Sequence, residues 1–157
     1  MEPSTRSCKT KHGEVVLGTF EEVLTMPGRY LNDHCLIHHD ARWHLFGIHG
    51  NVRTPEDPIA IESSILHATS PDLRAWTIHP NVIERTGQWP ELTHVYAPHV
   101  IAHKNRFFML YCANDELGTQ RICLATSNDL FTWERHDGNP VIVPSLSWSK
   151  WPGFGLP

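Results

Sequence analysis

SPDLRAW, residues 70–76, is answered fifty-seven residues later by SNDLFTW, residues 127–133, so the chain writes Ser-x-Asp-Leu-x-x-Trp twice. The likeness runs past both edges of the heptapeptide. Upstream, ESSILHATS (62–70) lies over TQRICLATS (119–127), so that Ile65 meets Ile122 and Ala68 meets Ala125; downstream, NVI (81–83) meets PVI (140–142) after a shift of two residues. Further back, HCLIHHDARWHLF (34–46) lies over PHVIAHKNRFFML (98–110), with Leu36/Val100, Ile37/Ile101, His39/His103, Arg42/Arg106 and Trp43/Phe107 matching in kind. The first copy carries a longer loop, NVRTPEDPIA (51–60), which absorbs the difference in offset. A repeat of roughly sixty residues governs every later structural inference, because a fixed period means stacked copies of one supersecondary unit.

Each copy holds short β-branched and aromatic runs bounded by Gly, Pro, Asn and Asp, and no apolar stripe of helical period; both are strand signals. The second copy predicts strands at 97–102, 106–112 and 120–126, and one from about 132; the first predicts strands near 33–38, 42–48, 61–69 and 75–79. The unit is then a four-stranded antiparallel meander, and the fold class is all-β. Such units at this spacing suggest propeller blades, each burying its faces on its neighbours. The heptapeptide has a structural part in this scheme: Asp accepts backbone N–H groups and fixes the turn, Leu points inward, and Trp opens the outer strand and packs between blades. The expected divisions are an N-terminal segment 1–29, a first blade 30–83, a second blade 84–143, and 144–157 as the entry to a third. Within the first segment, EVVLGTF (14–20) can add a covering strand.

Composition excludes several function classes. With 40% apolar and 19% charged residues and a net charge of −4, the chain has no nucleic-acid footprint and no polybasic membrane patch. No stretch has the apolar length of a membrane span, and MEPSTRSCKTKHGEVV has no apolar leader core, so a cytoplasmic location is expected. Cys8, Cys35, Cys112 and Cys123 form no CxxC pair and fit reduced thiols better than a disulfide frame. Among twelve histidines, the run His34, His38, His39, His44 and His49 invites a metal reading. Strand alternation puts His34 and His38 on one face and His39 on the other, so no metal and no other cofactor is expected; histidines lining a polar pocket are the better reading.

LNDHCLIHHDARWHLFGI (31–48), YAPHVIAHKNRFFMLYCAND (96–115) and the two turns resemble the first two blades of the five-bladed propeller glycosidases, the arabinanase, invertase and levansucrase superfamily. Among these the chain looks most like glycoside hydrolase family 43. Members open blade one with an Asp at the start of the innermost strand, followed by a second strand of the kind written here as Arg42-Trp43-His44-Leu45-Phe46; they open blade two with a Trp-Ala-Pro-like element, here Tyr96-Ala97-Pro98. The resemblance covers residues 30 to 143 and implies hydrolysis of O-glycosidic bonds in an oligo- or polysaccharide. It makes Asp33 the general base or nucleophile, where the residues alone would let it merely cap a turn after Asn32. The chemistry needs a second carboxyl group, about 5 Å away for retention or roughly 6.5–9.5 Å for inversion. In the resembled family the other carboxylates come from later blades. A ring of five such blades needs roughly three hundred residues, and this chain has 157. Within it Glu62 is expected in a strand away from the axis, Asp115-Glu116 at an exposed hairpin tip, and Glu91 in the inter-blade loop nearest the funnel mouth.

The segments entering the innermost strands supply candidate sugar-binding residues: His34 in copy one, and Trp89, His94, Tyr96 and His99 in copy two. Aromatic faces suit the C–H side of a sugar ring and imidazoles its hydroxyls; inter-blade packing is an equal reading for Trp89 and Tyr96. The family pattern often has Asp where His99 stands. A carbohydrate-binding propeller without turnover is the alternative function. A sialidase-like propeller is a second alternative, weakened by the missing Gly in both turns and by the lack of an arginine cluster for a carboxylated sugar. Unpartnered blade faces also favour self-association.

Overall fold

A computed structural model of the chain describes residues 6–10, 13–17, 21–52, 62–115 and 119–144. The expected loop at 53–60, Glu116 and the segment from 145 onward lie outside these residues. Strands β1 (Arg6–Thr10) and β2 (Gly13–Leu17) pair antiparallel in a two-stranded sheet of their own. The apolar run at 14–17 therefore forms a strand whose sheet partner is β1, and residues 18–20 of the expected strand are not described.

Two four-stranded antiparallel meanders follow. The first blade is β3 (Arg29–His39), β4 (Arg42–Asn51), β5 (Ser64–Ser70) and β6 (Thr77–Glu84), paired in that order. The second is β7 (Val95–His103), β8 (Arg106–Asn114), β9 (Gln120–Ser127) and β10 (Glu134–Arg135). The expected architecture stands, with differences at the strand ends. β3 begins four residues before the expected strand, and β10 is two residues long. The Asn139 side-chain amide takes over from backbone beside β10: Leu124 N–H donates to Asn139 Oδ1 at 2.8 Å and Asn139 Nδ2 donates to Leu124 O at 3.0 Å.

The repeated heptapeptide builds the same turn in both blades. Asp72 Oδ1 accepts the N–H groups of Arg74 and Ala75, both at 2.8 Å; Asp129 Oδ1 accepts those of Phe131 and Thr132 at 2.8 and 2.7 Å. The Ser70 and Ser127 hydroxyls donate to these same aspartates, and the Trp76 and Trp133 indoles donate to Leu73 O and Leu130 O. These bonds hold Leu73 and Leu130 at φ of 63° and 68°, a left-handed conformation costing roughly 1–2 kcal/mol, which the caged aspartate offsets. The backbone donors also hold the Asp72 and Asp129 carboxyls below the usual range.

Alternation along the strands then sorts the core. One apolar cluster lies between the blades: Phe46, Ile65 and Ile83 from the first meet Val95, Phe107, Met109, Tyr111, Cys123 and Leu130 from the second. Trp133 packs against this cluster, edge-on to Phe46 at 5.6 Å, so the Trp of copy two lies between blades as expected. Trp76 instead packs with Leu45, Leu66 and Ala68 on the other face of blade one, joined there by Leu24, Met26 and Leu31. β5, sandwiched between these clusters, is buried along its whole length.

Candidate functional site

The innermost strands β3 and β7 both break register near their starts. In β3, Asn32 pairs with Ile48 and Cys35 with Phe46, so Asp33 and His34 together oppose Gly47; in β7, Tyr96 pairs with Cys112 and His99 with Leu110, so Ala97 and Pro98 oppose Tyr111. These are β-bulges, devices that bend a strand and re-aim a side chain. Asp33 sits at φ 39° and Ala97 at φ 50°, equivalent positions in the two copies. The bulge at Asp33 depends on Gly47, because a Cβ there would stand 3.1 Å from His34 Cβ and 3.3 Å from Asn32 O.

Asp33 is exposed on the innermost strand, and its carboxylate acts across the blade boundary. Burial raises the pKa of the Cys112 thiol, and the negative charge of Asp33 adds to it. Burial likewise pushes the Tyr96 phenol up, reinforced by Cys112, Glu62 and Asp33, while its hydrogen bond with Asn114 pulls the other way. Tyr96 is half-buried, and its hydroxyl donates to Asn114 Oδ1 at 2.9 Å. His94 stands edge-on to Tyr96, 6.4 Å between centroids; its Nδ1 is buried with no partner among the described residues, and burial pushes its pKa down. Tyr96 thus lies within electrostatic reach of Asp33 across the blade junction and meets the His94 ring on its own side.

The other expected binding residues spread around it. Trp89 is 57% exposed, with the Arg121 guanidinium 5.9 Å from its ring centroid; Arg121 is itself held by Asp115 at 2.7 Å. His99 is exposed beyond the β7 bulge. His34 lines an apolar cavity of about 210 Å³ with Val23, Leu24, Leu31 and Leu45, on the cluster that includes Trp76. It is thus not brought into contact with His94 or Tyr96.

The acidic residues fall differently from the expectation. Glu62 is not within a strand: it precedes β5, its backbone oxygen accepts Val95 N–H at 2.9 Å, and Tyr30 donates its hydroxyl to Glu62 Oε1 at 2.9 Å. It influences both His94 and Tyr96, so it belongs near the innermost strands rather than away from them. Asp115, expected in solvent, is largely buried in its ion pair with Arg121. Glu91 is buried and fully engaged: Tyr111 Oη donates to Oε1 at 2.6 Å, Arg135 donates from Nε and Nη2 at 2.8 and 3.0 Å, and Thr86 N–H donates to Oε2 at 3.1 Å. A carboxylate so saturated clamps the 85–94 loop to β10 and is unsuited to proton transfer.

Two features were not legible beforehand. His44, His67 and His79 stack within the inter-blade interface, with His44 Nδ1 2.9 Å from His67 Nε2; only His44 belongs to the run that the sequence singles out. Arg121 beneath Trp89 lies thirty-two positions from it, with no local pattern to join them. Cys35, Cys112 and Cys123 are free thiols. Among the described residues no three His, Cys, Asp or Glu side chains group as metal ligands.

The family model for the glycosyl hydrolases family 32 N-terminal domain matches residues 24–150. Solved structures with this fold include a GH43 beta-xylosidase/alpha-arabinofuranosidase from a compost microbial metagenome (TM-score 0.60, 13% identity), which matches 85% of this chain and 38% of its own. Fructan 1-exohydrolase IIa from Cichorium intybus matches at TM-score 0.64 and 24% identity over 78% of this chain and 23% of its own. An exo-1,5-alpha-L-arabinanase from a bovine ruminal metagenomic library matches at TM-score 0.56 and 19% identity over 78% and 40%. The chain thus spans well under half the length of each. Among curated proteins nothing matches it. The expected superfamily is the one returned, with family 32 supplying the matching sequence model and family 43 among the structural neighbours.

Proposed function

The chain belongs to the glycosyl hydrolases family 32 N-terminal domain family, and from that premise we propose that it contributes the first blades of a propeller hydrolysing O-glycosidic bonds, with Asp33 as its base or nucleophile. The observation that carries this reading is the strained bulge: an exposed carboxylate held at positive φ on the innermost strand, within electrostatic reach of Tyr96 of the next blade. Strain concentrates where geometry serves function, and the same bulge in blade two holds only Ala97. Asp33 would attack the anomeric carbon or deprotonate a water; His94 and Tyr96 would take sugar hydroxyls, Trp89 a ring face, and His34 and His99 the flanks. Glu91 is engaged and Asp115 ion-paired, so the leaving-group acid in this reading comes from outside the two blades.

We test the reading with a panel of aryl glycosides, whose phenolate leaving groups depart without a protonating acid, and with Asp33→Asn. Turnover by the protein is expected to fall about 10²–10⁴-fold with sugar binding kept. Binding without turnover in the unaltered protein would instead favour a carbohydrate-binding propeller. The open faces add a second element: Leu36 of blade one and Ile101 and Leu110 of blade two are exposed apolar side chains, as is Val23 just before blade one. We propose that the chain by itself self-associates through them, and a monodisperse monomer in light scattering would defeat this.

A further inference from the structure

A polar cleft of about 360 Å³ opens at the end of blade one where β3 starts and β6 stops, bounded by Arg29, Arg85, Glu84, Asn81, His49 and the Ser63-Ser64 pair. Its volume lies within the range of ligand sites, about 300–1,000 Å³. Arg74, Arg121 and Arg135 are ion-paired with Glu21, Asp115 and Glu91, whereas Arg29 and Arg85 have no ion pair among the described residues, although Glu84 borders the same cleft. Arg85 Nη1 donates to Leu92 O at 2.7 Å, which fixes the guanidinium and leaves its other donors unspent.

The floor is a chain of hydrogen bonds that ends on the Glu84 carboxylate. Asn81 Nδ2 donates to Glu84 Oε1 at 3.3 Å, which turns Asn81 Oδ1 toward His49 Nε2 at 3.1 Å and so places the proton on Nε2. Ser64 Oγ is also 3.1 Å from Nε2. His49 is 5% exposed, its Nδ1 is a buried acceptor with no partner among the described residues, and burial pushes its pKa down, so the ring adds no charge. The cleft adjoins the site above: Glu62 precedes Ser63 and bonds to Val95, and the charge of Arg85 reaches His94.

We propose that this cleft binds the carboxylate of an acidic sugar unit, with Arg29 and Arg85 as its cationic jaws. Two guanidiniums with no ion pair among the described residues, set against the single Glu84 carboxylate, suit a planar oxyanion, which they can take in bidentate fashion. The proposal rests on the carbohydrate reading and specifies one substrate class, a uronate-bearing chain. It also supplies the arginine pair that the sequence does not display, because positions 29 and 85 meet only through the pairing of β3, β4, β5 and β6.

The test is calorimetric titration of the protein with methyl glucuronide, methyl glucoside and inorganic phosphate. The glucuronide is expected to bind at least about tenfold more tightly than the glucoside, less tightly as salt rises, and about tenfold more weakly in Arg29→Ala and in Arg85→Gln. Among the described residues no side-chain hydrogen bond or ion pair of Arg29 is present, and its side chain is exposed, so its variant should keep the fold. Equal binding of glucuronide and glucoside, or unchanged binding in Arg29→Ala, would overturn the proposal; phosphate binding as tightly as the glucuronide would overturn the sugar assignment. Asp33→Asn should leave glucuronide binding unchanged. A failure of the glycosidase reading appears in turnover, and a failure of this one in binding.

Discussion

Phe131 of the second blade stands edge-on to His67 of the first, 4.8 Å between ring centroids, and also meets the His44 and His79 rings at 5.6 and 5.2 Å. His67 is stacked on Phe46 at 4.7 Å and is fully buried. A residue of the second heptapeptide thereby seals a histidine stack built by the first blade.

That seal makes the inter-blade interface acid-sensitive. Burial lowers the His44 pKa to about 4 and the His67 pKa to about 3. Both lie below the unfolded value near 6.5, so below that pH the unfolded chain takes protons that the folded one refuses. Stability is complete above about pH 6.5 and falls as pH drops toward 4, by up to about 1.4 kcal/mol per pH unit for each ring. Urea unfolding at pH 7.5, 5.5 and 4.5 checks this, and His67→Gln should flatten the slope.

Glu91→Ala should destabilise by about 3–5 kcal/mol, the usual cost of breaking a buried pair from one side, because Arg135 and Tyr111 lose their common partner. Thermal unfolding measures it. A stable variant with impaired turnover would contradict the clamp.

Trp133→Ala should cost about 3–5 kcal/mol, since its ring lies on Phe46 between the blades. The cost appears in the denaturant midpoint. Asp129→Ala should cost about 1–3 kcal/mol by leaving turn N–H groups without their acceptor.

Asp33→Asn should change stability by less than about 0.5 kcal/mol, because Asn tolerates the left-handed region as Asp does. Ala97→Gly should stabilise by about 1 kcal/mol, as Gly carries no Cβ penalty at φ 50°. Chemical denaturation of both variants decides whether the bulges store strain.

The blades were legible because the period is carried by residues with a physical task. Asp72, Asp129, Trp76 and Trp133 fix turns and packing, so their spacing is the spacing of the blades. The role proposed for Asp33 rests on resemblance, since nothing local announces a bulge. The Glu91 clamp was not, because its partners Tyr111 and Arg135 lie twenty and forty-four positions away and meet it only after the second meander closes. Glu62 was misread for a related reason. Its neighbourhood is set by the first residue of the next blade, which strand periodicity does not encode.

The matching bulges at Asp33 and Ala97 give the scaffold two sockets of one shape, only one of which is armed. Duplication copied the pose, and a single codon decides whether it carries charge. Ala97→Asp would place a carboxylate in the second bulge without asking the backbone to learn anything new, so an engineer could move the charge from one blade to the next.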